Sequence, residues 1–129
     1  MKFIILGWTW PACTRDMGLI VTDGKNFISE EKRDMVHQQA YISPSAPAYH
    51  LINADSQGRF RIEKEIFTDT LRDSLVQRTK FTPLQGSLTD YHLYVILAPH
   101  LRNQGYENTA WVGITKAIRY CLPSATTRS

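Results

Sequence analysis

Cysteine is nearly absent from this chain: Cys13 and Cys121 are the only two in 129 residues. A pair so far apart builds neither a disulfide framework nor a zinc site. Long apolar runs are lacking as well, none approaching the roughly 20 residues that a membrane-spanning helix needs. There is no phosphate-cradling glycine loop and no Gly-x-Ser-x-Gly nucleophile elbow. The four histidines, His37, His50, His92 and His100, show no metal-ligand spacing. These absences argue against disulfide-stapled domains, zinc modules, P-loop enzymes, α/β-hydrolases and helical membrane proteins. No metal or cofactor is expected.

A dominant charge of one sign is missing too. The net charge of +3 comes from Lys2, Lys116, Arg119 and Arg128 at the two ends. Between Ala12 and Val112 the other 11 basic residues face all 12 acidic ones. They alternate in sign, as in Arg59-Phe60-Arg61-Ile62-Glu63-Lys64-Glu65. A nucleic-acid binder clusters its cations on one face. Neither nucleic acid nor a membrane is therefore an expected partner.

What the chain does have is apolar residues at period two, the spacing of strands with one buried face. From Arg59 to Phe67 one face carries Phe60, Ile62, Lys64 and Ile66, and the other carries Arg61, Glu63, Glu65 and Phe67. Leu75, Gln77, Thr79 and Phe81 alternate with Val76, Arg78, Lys80 and Thr82. Tyr91 to Ala98 is apolar on both faces, which predicts a central strand. Met35, His37, Gln39 and Tyr41 share a face of a further strand at about 33–42. Asp23-Gly24-Lys25 and Asp55-Ser56-Gln57-Gly58 are hairpin turns, and Pro83-Leu84-Gln85-Gly86 closes a strand. Ser29 to Asp34 is the one helix-compatible run, too short to carry a helical core. Short strands joined by such turns, with no βαβ rhythm, predict an all-β antiparallel sandwich or barrel.

Glu63 and Glu65 lie on one strand face, a pair that could supply general acid and base for glycoside hydrolysis. Flanked by Arg61 and Lys64, they read instead as a solvated face with cross-strand charge pairs. The segment from Pro99 to Trp111 is expected to be a loop leaving a buried strand. It carries His100, Asn103, Asn108 and Trp111, the candidate sugar-binding residues. Aromatic faces stack on sugar rings while amides satisfy hydroxyls. At the start, Lys2 precedes a short apolar run that mimics a secretory or lipoprotein signal, but Trp8, Trp10 and Pro11 interrupt it.

Three stretches carry a family resemblance: Thr14-Arg15-Asp16-Met17-Gly18-Leu19-Ile20-Val21-Thr22-Asp23-Gly24, Arg61-Ile62-Glu63-Lys64-Glu65, and Asp90 through Leu101. In this order they resemble the N-terminal β-domain of prokaryotic glucoamylases and glucodextranases, in glycoside hydrolase family fifteen. The resemblance runs from about Thr14 to Gly113. It implies an antiparallel β-super-sandwich, here incomplete, preceding a helical (α/α)₆ barrel that holds both catalytic carboxylates. No residue of this chain matches the barrel, so no catalytic residue is carried over. The implied partners are an α-glucan or the missing catalytic barrel domain. A free-standing carbohydrate-binding module is the alternative.

Both ends depart from the family pattern. Synonymous codons can be chosen for Met1 through Ala12 whose neighbouring frame reads Asn-Glu-Val-Tyr-Tyr-Pro-Arg, as the family begins. Codons for Gly113 through Pro123 can likewise be shifted to read Asp-Tyr-Lys-Gly-Asn-Thr-Ile-Leu-Phe-Ala. The expectation is a domain fragment at 13–113 between out-of-frame segments at 1–12 and 114–129. The whole basic excess would then be a product of those ends, and neither cysteine would have a selected redox role.

Overall fold

The period-two segments form strands, and their turns fall where Gly, Asn and Asp allow them. The structure, a computed structural model, describes residues 2–8, 14–45, 47–69, 71, 74–100, 108–115 and 118–125. In chain order the strands are β1 (Lys2–Trp8), β2 (Thr14–Thr22), β3 (Ile28–Glu30), β4 (Met35–Tyr41), β5 (Tyr49–Asp55), β6 (Phe60–Asp69) and β7 (Ser74–Pro83). They continue as β8 (His92–Pro99), β9 (Asn108–Thr115) and β10 (Ile118–Ala125). A single helical turn, α1 (Glu31–Asp34), joins β3 to β4.

These strands make a five-stranded sheet in the order β1-β7-β6-β5-β4, a three-stranded sheet β3-β2-β8, and the hairpin β9-β10, all antiparallel. The all-β expectation is met. The hairpin expected at Asp23–Lys25 joins β2 to β3, and that at Asp55–Gly58 joins β5 to β6. Both rest on aspartate side chains that collect backbone N–H groups. Asp23 Oδ1 accepts from Lys25, Asn26 and Phe27, and Asp55 Oδ2 accepts from Gln57 and Arg59. The turn at Pro83–Gly86 leads from the larger sheet to the smaller. Gly86 sits at φ +69, where an added Cβ would lie 2.7 Å from Asp90 Oδ2, so only glycine fits.

The core follows the register. Phe60, Ile62 and Phe81 on the larger sheet meet Leu19 and Val21 of β2, with Met35, Phe27, Tyr91 and Leu93 packed around them. The rings of Phe27, Phe81 and Tyr91 lie 5.4–6.2 Å from one another or from Phe60. Arg59 stacks over Phe27 at 3.9 Å and donates two side-chain hydrogen bonds to Asp55, each 2.7 Å long.

Two expectations change. The strand at Tyr91–Ala98 does not sit between two others among the described residues. As β8 it pairs with β2 alone, at the edge of its sheet, and Tyr94, Val95, Ile96 and Leu97 are exposed on both of its faces, because apolar patterning alone does not say which strands lie beside it or over it. The loop expected from Pro99 to Trp111 is also shorter, because β9 begins at Asn108. Val112 and Ile114 extend a β-branched run that favours a strand over a loop.

Candidate functional site

The smaller sheet covers only one end of the larger. Beyond Ile62 the inward face of the larger sheet continues through Lys64 and Ile66 of β6, Leu51 and Tyr49 of β5, and Gln77 of β7. Gln39 and Tyr41 extend the same rows on β4, since opposed residues share a face. Here the sandwich opens into a cleft of about 530 Å³ whose lining includes Met17, Lys32, Leu51, Ile66 and Gln77. Tyr41 and Tyr49 face each other across β4 and β5 with their rings 5.2 Å apart.

A charged network lies where the covered end gives way to the cleft. Lys64 occupies an apolar position of β6, as the alternation requires, and is buried. Its ammonium meets the equally buried Glu31 carboxylate of α1 at 2.6 Å. Glu31 Oε2 also accepts the Leu19 N–H of β2 at 3.0 Å, and Glu31 Oε1 accepts from the Asn53 side-chain amide of β5. Asn53 Oδ1 in turn contacts His37 Nδ1 of β4 at 2.9 Å. One carboxylate thus ties α1, β2, β5 and β6 together, and the turn of helix exists to deliver it. The period-two alternation puts Lys64 on the face of Phe60 and Ile62 but does not identify its counter-charge. A cation at an apolar strand position is the signal that one exists.

The outward face carries the acid pair suggested by the sequence. Glu63 binds Lys80 at 2.8 Å and approaches Arg61 at 3.5 Å, while Glu65 binds Arg78 at 3.0 Å. Lys80 and Arg78 lie directly opposite the two glutamates on β7. The cross-strand reading of that face is the one the structure shows. The Lys80 hydrogen bond holds the Glu63 carboxyl below its ordinary range. Asp16 is lowered by Lys32, Asp55 by Arg59, and Asp90 by the Ser87 N–H; backbone N–H groups lower Asp23.

The sugar-binding candidates are not shown gathered into one site. His100 follows β8 and is half-buried. Asn103 lies outside the described residues. Asn108 and Trp111 stand in β9 opposite Ala125 and Leu122 of β10. Among the described residues no group of three or more His, Cys, Asp or Glu could hold a metal ion.

Comparison with known proteins places this sandwich. The family described as glucodextranase, domain N, matches residues 7–126. The chain belongs to that family. A glucoamylase from Clostridium sp. (strain G0005) is 44% identical over 101 residues, which cover 78% of this chain and 14% of the relative. The crystal structure of a bacterial glucoamylase complexed with acarbose superposes with a TM-score of 0.81 at 37% identity. It covers 87% of this chain and 17% of that protein. The chain therefore spans about a sixth of the length of these relatives, and the domain N match accounts for nearly all of it.

Proposed function

We propose that this domain N chain is a noncatalytic β-sandwich unit of a glucoamylase-like glycoside hydrolase, placed against a catalytic barrel and not itself cleaving glucan. The observation that carries this reading is the state of its carboxylates. Glycoside hydrolysis needs one carboxyl kept protonated by a raised pKa, across from a second carboxylate. Among the described residues every Asp and Glu has a hydrogen-bond or ion partner. Every carboxylate shift that is resolved runs downward, the wrong direction for a general acid. The name of the Clostridium relative and the acarbose complex of the solved one support the hydrolase context.

The test is to incubate the purified chain with maltooligosaccharides and dextran and to measure released glucose. None is expected, and turnover that scales with protein concentration overturns the reading. A free-standing carbohydrate-binding module is the second reading; it rests on Asn108 and Trp111 standing in one strand, β9, although three residues apart they do not share a face. Calorimetric titration with maltooligosaccharides separates the two, because saturable binding that is lost in Trp111→Ala supports the module. The proposal also takes segments 1–12 and 114–129 as read out of frame. Resequencing through codons 11–13 and 113 should find the family pattern continuing in neighbouring frames, and a clean single frame overturns that part.

A further inference from the structure

His37 stands on β4 opposite Asn53 of β5 and lines the cleft. The hydrogen bonds around it fix which atoms donate. The Glu31 carboxylate can only accept, so the Asn53 side chain turns its NH2 toward Glu31 Oε1 and its carbonyl oxygen toward His37. His37 Nδ1, 2.9 Å from that oxygen, must therefore donate. The other ring nitrogen, Nε2, lies 3.3 Å from the backbone carbonyl oxygen of Lys32 in α1, which is a second acceptor. A neutral imidazole carries one proton and serves only one of the two, whereas the imidazolium donates from both nitrogens. The ring is exposed, so charging it strips away little water. The charged groups of the neighbouring elements are already matched: Glu31 with Lys64, Lys32 with Asp16, and Arg33 with Glu30. Asp34 accepts the Glu30 N–H.

We propose that His37 is a proton-operated latch, its imidazolium tying the Lys32 carbonyl of α1 to Asn53 of β5 and its neutral form loosening that hold. α1 is the turn that brings Glu31 to Lys64, so the latch acts on the element that carries the buried charge pair. The unfolded chain offers the ring neither acceptor. The native state therefore binds this proton in preference to the unfolded one, and the stability it contributes is present at the lower pH and is lost as pH rises through the range in which histidine titrates. That range lies above the one in which the lowered carboxylates Asp16, Asp55 and Glu63 gain protons, so the two effects separate.

Urea denaturation of the purified chain and of His37→Gln, at about pH 8 and about pH 5.5, tests this. Glutamine keeps a donor for Asn53 but does not titrate. The urea midpoint of the wild type relative to the variant should rise on going to the lower pH, since His50, His92 and His100 are common to both proteins. A difference that is the same at both pH values, or that moves the other way, overturns the latch. Nitrogen NMR of the His37 ring supplies a readout that needs no variant. At the higher pH its single proton should sit on Nδ1, and at the lower pH both nitrogens should be protonated. A neutral ring protonated on Nε2 overturns the donor order on which the latch rests.

Discussion

The two ends of this sandwich are built from the same strands and differ in what lies over them. At one end β2 and β8 cover Phe60, Ile62 and Phe81, and the aromatic cluster packs on β6 and β7 of the larger sheet. At the other end, among the described residues, half-buried Leu51 and Ile66 line a cleft in place of a packed second layer. The change of regime occurs within β6, between Ile62 and Ile66. Lys64 sits at that point with its ammonium turned to Glu31. Apolar patterning alone does not cover a face; a second layer must be present, and here it reaches only as far as Glu31.

The largest effect that separates the ends is expected at Phe60, which is fully buried among Phe27, Phe81 and Tyr91. Phe60→Ala should cost about 4 kcal/mol, read by urea denaturation, because it combines a lost ring with a cavity in a packed layer. A loss near that of an exposed substitution would mean that the covered end is looser in solution than it is here. Glu31→Gln probes the boundary. It keeps one acceptor for Leu19 or Asn53, sets an NH2 against the other of these two donors, and leaves the Lys64 ammonium buried without an anion, at a cost of about 3 kcal/mol. Adding Lys64→Met should recover most of that loss, since an apolar side chain suits the position. If the double variant is no better than the single one, Glu31 acts through Leu19 and Asn53 and not through its charge.

The covered end was legible in the sequence and the boundary was not. Alternation in Phe60–Ile66 and Gln77–Phe81 gives both face and register, and turn residues at Asp23–Lys25 and Asp55–Gly58 give the hairpins. Such patterns report local chain geometry. The edge position of β8 depends on which strands lie beside it, and a strand that is apolar on both faces reads as central from its own residues. The Glu31–Lys64 pair spans 33 residues and two sheets. Nothing local in Ser29–Asp34 distinguishes the buried Glu31 from its exposed neighbours Lys32 and Arg33. Among the candidate sugar contacts, the aromatic and amide composition of residues 100–111 suggested a loop, while the β-branched run after Trp111 belongs to a strand that starts earlier.

Acid sharpens the same comparison, because the Asp55–Arg59 pair belongs to the covered end. The Asp55 carboxylate is fully buried and Arg59 is mostly so, and the Arg59 hydrogen bonds lower its pKa from the ordinary 3.8. A lowered folded value contributes stability that is complete above the unfolded pKa and is lost as pH falls through the folded one. The wild type should therefore lose stability below about pH 4. Asp55→Asn should be about 2 kcal/mol less stable at neutral pH and should show a flatter acid limb. Parallel acid limbs for the two proteins would show that the pair contributes nothing to folding.

The smallest effect is expected at the open end, where Tyr41 is 68% exposed although it shares an inward row with Tyr49 and Ile66. Tyr41→Ser removes a large ring from a nominally interior face, yet it should change stability by no more than about 0.5 kcal/mol, as exposed substitutions do. The contrast with Phe60→Ala would then measure what the second layer is worth on one sheet. A loss of 2 kcal/mol or more at Tyr41 would mean that something covers this face in solution. If that loss grew with protein concentration, the cover would be another copy of the chain, and if it did not, the chain's own residues would have to reach the cleft.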